Sequence, residues 1–135
     1  MSYKIDEIEG IGPSYAQKLA QAEVRSTADL LGKCSTPKGR KELAELTGVS
    51  EKMILRWTNL ADLMRVNGVG PQFSELLEAA GVDTIKELRN RNAPNLAEKM
   101  AQVNSEKKLA RTTPSVKQVE DWVGAAKKMD PIISY

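Results

Sequence analysis

The chain has 135 residues, 41% of them hydrophobic and 28% charged, with 20 basic and 18 acidic side chains and a net charge of +2. That size makes one ordinary domain or two very small ones sharing a core, and the balance is that of a globular protein, neither disordered nor membrane-embedded. Having no histidine and one cysteine, Cys34, the chain lacks the commonest general base, the commonest metal ligand and any internal disulfide, so no enzyme and no metal site are expected. A charge of +2 is also too mild to coat nucleic acid by bulk attraction, so any such contact must come from local geometry.

Residues 1–7 carry no apolar stretch and no cleavage pattern, which argues against a secretory signal and makes the cytoplasm the expected compartment. Apolar runs of a few residues predict no membrane span. The first strong feature is Gly10-Ile11-Gly12-Pro13. Two glycines one residue apart permit a tight turn through positive φ, Ile11 between them can point inward, and Pro13 fits the first position of a helix. The amides of Gly12, Ser14 and Tyr15 then stand at the positive end of that helix, an arrangement suited to an anion. The same bend could equally pack two helices and bind nothing.

Ser26 with Asp29 has the spacing of a capping box and predicts a short helix. Lys33, Arg40 and Lys41, with Lys38, form the densest basic group, in a connector holding Pro37 and Gly39. A run of this size is usually solvated surface, though these cations are candidates for phosphate contact. Gly48 reads as a helix stop and Ser50 as the next cap. Ile54, Trp57, Leu60, Ala61 and Met64 form one helical stripe, so Trp57 is expected in the core. Cys34 borders the basic connector, which could depress its pKa, although an inert thiol is the preferred reading.

Gly68-Val69-Gly70-Pro71 repeats the bend, with Gln72 and Phe73 where the first has Ser14 and Tyr15. Thr84 with Glu87 repeats the capping-box spacing. Ser115 with Gln118 opens a last long helix, whose stripe of Val116, Val119, Trp122, Val123, Ala126 and Met129 matches the first and ends at Asp130-Pro131. The in-order matches divide the chain into halves 1–64 and 65–129 with a tail 130–135, the second half carrying an insertion between Pro94 and Pro114. Every strong period is near 3.6 and no stretch alternates, so the expected fold is all-α: duplicated halves with pseudo-twofold symmetry, their long helices sharing a core. The apolar tail Pro131-Ile132-Ile133-Ser134-Tyr135 could dock on a neighbour.

Ile8, Gly10, Ile11, Gly12, Ala16 and Leu19, and again Val66, Gly68, Val69, Gly70, Ser74 and Leu77, resemble the helix-hairpin-helix motif, with Ser74 in place of the usual alanine. Nearly 130 residues resemble an uncharacterised bacterial family of tandem helix-hairpin-helix proteins, of the kind described as a domain of unknown function. The resemblance implies a SAM-like helical bundle and sequence-independent contact with the nucleic-acid backbone. Hairpin amides would hold phosphates, with a monovalent cation at a hairpin as the one cofactor it suggests. Carried onto this chain, the contacts are Gly10, Gly12, Ser14, Tyr15, Gly68, Gly70 and Gln72, with Lys18 as nearby cation. DNA is the expected partner, weakly and without base preference, and RNA would meet the same donors.

Two departures count against this. Binding members often carry a basic residue just after Gly-Pro, where this chain has Ser14 and Gln72, and Glu75 and Glu78 follow the second bend. The second hairpin is therefore read as structural or turned toward a protein. The alternative for the whole chain is a protein-interaction or scaffold module that keeps the fold without binding phosphate.

Overall fold

The computed structural model describes residues 2–135. A 3-10 turn, Ile5–Glu7, precedes eight α-helices: α1 Pro13–Gln21, α2 Thr27–Cys34, α3 Pro37–Thr47, α4 Glu51–Leu63, α5 Pro71–Ala79, α6 Ile85–Leu88, α7 Ala93–Lys107 and α8 Val116–Lys127. Among the described residues there is no strand, only an isolated antiparallel bridge between Lys4 and Ser26. The all-α class follows from the helical periodicity of the apolar residues.

Local chemistry sets the helix boundaries. Ser26 Oγ accepts from the Asp29 amide (3.1 Å), Thr36 Oγ1 from Gly39 (3.1 Å), Ser50 Oγ from Met53 (3.2 Å), Asn92 Oδ1 from Asn95 (3.0 Å) and Ser115 Oγ from Gln118 (3.1 Å). Each acceptor satisfies one of the first-turn amides that a helix cannot pair internally. Thr84 stands before α6 without a side-chain cap bond, so only part of the expected box forms there; Glu87 Oε2 instead accepts from Asp83 N (3.3 Å). Gly48 ends α3 at φ 75°, as a left-handed helix stop.

The chain divides into two compact units, Met1–Asp62 with Ile132–Tyr135, and Leu63–Pro131. In the first, Ile8, Ile11, Leu19, Leu30, Ile54, Trp57 and Leu60 are buried. Its leading segment is tied down by Ile5 N to Arg25 O (3.0 Å) and Thr27 N to Tyr3 O (2.9 Å). In the second, Val66, Val69, Leu77, Ile85, Leu88, Met100, Val119 and Trp122 belong to one buried cluster. Each unit buries a tryptophan, Trp57 in the first and Trp122 in the second.

The segment between Pro94 and Pro114 is mostly α7, followed by a connection in which Leu109 and Ala110 pack on the cluster. Asn104 holds that connection from both sides, donating to Ala110 O (3.0 Å) and accepting from Ala110 N (2.9 Å).

Candidate nucleic-acid interface

The first bend is built by burial beneath and exposure above. Ile8 and Ile11 are buried, and the Ile11 amide donates to Ile8 O (3.1 Å), closing the turn. Gly10 sits at φ 92°, where a side chain would be strained, and a Cβ there would lie 3.2 Å from Arg56 Nη1 and 3.7 Å from Trp57 Nε1. Gly12 is the N-cap of α1 in an extended conformation (φ −82°, ψ −179°), and a Cβ there would meet nothing within 4 Å. Pro13 begins the helix, and the first helical bond runs from Ala16 N to Gly12 O (2.9 Å). Gly10, Gly12, Pro13 and Ser14 are exposed. Tyr15 is half-buried with its ring edge-on to Trp57, centroids 5.3 Å apart at 61°.

Chemically, this is an exposed helix start that holds no side-chain acceptor of its own. Among the described helices of eight residues or more, α2, α3, α4, α7 and α8 each receive a hydroxyl or amide oxygen on a first-turn amide, whereas α1 and α5 begin on glycine-proline. The amides of Ser14 and Tyr15 fall within the first turn, where the helix offers no internal partner and the macrodipole favours negative charge.

The second bend repeats the backbone and differs in its surroundings. Gly68 is at φ 94°, Gly70 caps α5 in an extended conformation, and Val69 N donates to Val66 O (3.0 Å). Phe73 lies 5.2 Å from Trp122 at 53°. Here, however, Gly70 and Pro71 are half-buried. Gln72 Oε1 accepts from Arg111 N (3.3 Å), so the connection after α7 reaches the start of α5. Glu75 and Glu78 are half-buried, not free charges on an open face.

The basic residues do not gather at the first bend. Lys18 is exposed on α1 with its ammonium 5.8 Å from the Tyr15 ring centroid. Lys33 Nζ donates to Ala22 O (3.0 Å) and lies 4.0 Å from the Glu23 carboxylate. That puts it at the C-terminal end of α1, about 13 Å along the axis from the bend at 1.5 Å per residue. Arg40 corrects the sequence reading more sharply. It is 6% exposed, and its guanidinium donates to Cys34 O (2.9 Å) and Ser134 O (2.7 Å). The basic run of the connector suggested solvated surface, but Arg40 lies on the same helical face as the buried Leu43. Lys41 is exposed on α3.

Cys34 is buried, in keeping with the inert-thiol reading, and the basic connector does not depress its pKa. Burial pushes its thiol up to about 11, outweighing the opposing pull of Arg40 and Lys33 and a hydrogen bond with Thr58. Among the described residues no group of His, Cys, Asp and Glu could hold a metal ion, and no helix is long and apolar enough to cross a membrane.

Arg56 is the residue at the first bend that sequence reasoning missed. Its Nη1 donates to Glu9 O (3.4 Å) and covers Gly10. Its only signal was its place, one residue before Trp57, where the aligned position before Trp122 is Asp121, paired with Lys117 at 3.0 Å.

A family model described as a domain of unknown function (DUF4332) matches residues 9–129. No curated protein and no solved structure matches the chain.

Proposed function

The chain belongs to the DUF4332 family, and we propose that it is a non-enzymatic, sequence-independent binder of the nucleic-acid backbone, DNA in the first instance, acting through the amides of the first glycine bend. One observation carries this reading: α1 begins on exposed Gly12-Pro13 with no side-chain oxygen on its first-turn amides, where five other long helices are internally capped. A phosphate oxygen at that point would satisfy the donors and complement the helix dipole. The contact is to backbone alone and specifies no base. With Lys18 as its only nearby cation among the sequence candidates, affinity is weak, micromolar to about 100 µM at physiological salt, with a log–log salt slope of about −2 to −4.

Gly12 makes the test clean, because its φ is ordinary and its Cβ position is open. In an anisotropy titration with a labelled duplex, Gly12→Ala should bind as the wild type does, while Gly12→Glu, folded but carrying a carboxylate beside the amides, should lose at least about tenfold in affinity. Equal binding by both variants, or no binding by wild type to DNA or RNA at low salt, overturns the reading.

A second reading, a protein-docking module, is favoured by one feature of the same unit. Leu46 is 75% exposed and lines an open cavity of about 500 Å³ with Lys18, Glu23, Lys33 and Thr47. Under that reading, Leu46→Asp abolishes capture of a partner and Gly12→Glu does not.

A further inference from the structure

Residues Ile132–Tyr135 follow the second unit in sequence and pack as part of the first. Their seat is specific to main chain. Ser134 N donates to Ser35 O (2.7 Å), Ser134 O accepts from Arg40 Nη2 (2.7 Å), and Ser134 Oγ lies 3.3 Å from the same Ser35 carbonyl. Tyr135 places its ring 5.9 Å from the Arg40 guanidinium carbon and donates its hydroxyl to Asn59 Oδ1 (3.1 Å).

Arg40 is the centre of this arrangement. It is buried, its hydrogen-bond acceptors are two backbone carbonyls, and one of the two is supplied by the tail. A buried guanidinium needs its donors satisfied, so the seat requires an extended segment to lie across it. The segment itself is loosely held. Ile132 is 41% and Tyr135 69% exposed, and a few hydrogen bonds must offset the ordering of four residues.

We propose that this seat on the first unit is an exchangeable docking site for an extended Ile-Ile-Ser-Tyr segment, and that the partner it fits is the same segment of a second copy of this chain. The seat reads both backbone groups of Ser134 and the tip of an aromatic ring, none of which depends on covalent continuity with the rest of the chain. An identical tail from another copy makes identical contacts, so the exchange costs only the loss of one copy's freedom. The inference is independent of the nucleic-acid reading and uses none of its residues except Arg40, which that reading gives up.

The experiment uses two full-length variants. Ser134→Pro removes the N–H given to Ser35, and Tyr135→Ala removes the ring and hydroxyl at an exposed position that cannot unfold the core. Each is titrated with an amidated Pro-Ile-Ile-Ser-Tyr peptide to several millimolar while the NMR signals of Ser35 and Asn59 are followed. With their own segment loosened, both variants should take up the peptide at least about tenfold more readily than wild type, in which the tethered tail competes at about millimolar effective concentration. The same peptide with proline for its serine should not bind. Light scattering of wild type should show a dimer fraction rising through the millimolar range that Ser134→Pro lacks. Folded variants with no peptide-dependent shifts at Ser35 and Asn59, or wild type binding the peptide equally, overturn the docking site; a wild-type chain monomeric throughout overturns the second copy as its partner.

Discussion

Gly10 and Gly68 hold nearly the same backbone angle, φ of 92° and 94°, each over the indole nitrogen of a tryptophan in its own unit. What stands around them differs. The first bend has exposed Gly12, Pro13 and Ser14, with the Arg56 guanidinium over Gly10. The second has a half-buried Gly70 and Pro71, a connection that bonds to Gln72, and Asp121 where the first has Arg56. The same turn geometry is thus open at the first bend and part of a packed joint at the second. Backbone shape alone does not make a binding site, and the residues that cover or uncover its amides decide the outcome.

Alanine in place of each bend glycine should break this comparison at its strongest point. Gly68→Ala drives a methyl within 3.1 Å of the Trp122 indole nitrogen, a buried ring with little room to move. Gly10→Ala meets first the tip of an arginine, which can swing away. Adding left-handed strain to overpacking, Gly68→Ala should cost about 2–4 kcal/mol and Gly10→Ala about 1–2 kcal/mol, read from urea denaturation midpoints. Equal losses would mean that the two indoles are held equally tightly.

The next largest effect belongs to the first unit alone, which holds the single cysteine. Its folded thiol titrates near 11 against an ordinary 9.0, so the folded state keeps a proton that the unfolded chain gives up. The stability this contributes is complete below about pH 9 and is lost as pH rises toward about 11, a fall of about 2–3 kcal/mol. Unfolding curves of wild type and Cys34→Ala should therefore converge between pH 8 and pH 11, and parallel curves would show that the thiol does not titrate late.

The smallest effect sharpens the comparison at the far ends of α1 and α5. Val24 N reaches Leu19 O (2.8 Å) and Val82 N reaches Leu77 O (2.9 Å), the same left-handed helix ending in both units. The second uses Gly81 at φ 95° and the first uses Glu23 at φ 65°. Glu23→Gly should stabilise by about 0.5–1 kcal/mol and Gly81→Glu destabilise by about 1 kcal/mol or more, because only glycine adopts this region freely. The exposed Glu23–Lys33 contact is too weak to reverse the sign. A thermal melt of Glu23→Gly that falls instead of rising would assign that glutamate a structural partner worth more than its strain.

Much of the architecture was legible because it is written in local chemistry. Ser26, Ser50 and Ser115 cap the helices they were expected to open, Gly48 stops α3, and both tryptophans are buried where their stripes put them. Thr84 shows the limit of such signals, since a spacing can be present without the bond. The candidate site was legible where the backbone makes it, at Gly10, Gly12, Gly68 and Gly70. Its side chains were not. Arg40 and Arg56 are placed by contacts with residues 94 and 47 positions away, and no local pattern announces such partners. Gln72 was identified as a residue, but the connection reaching it folds back from 39 positions further on.

Backbone amide shifts in a titration with a short duplex at low salt test the asymmetry between the bends most directly. The account predicts that the signals of Gly10, Gly12, Ser14 and Tyr15 move most, those of Gly68, Gly70, Gln72 and Phe73 move less, and Gly12→Glu silences the former. The largest shifts at the second bend, or around Leu46 with none at residues 10–15, would contradict it.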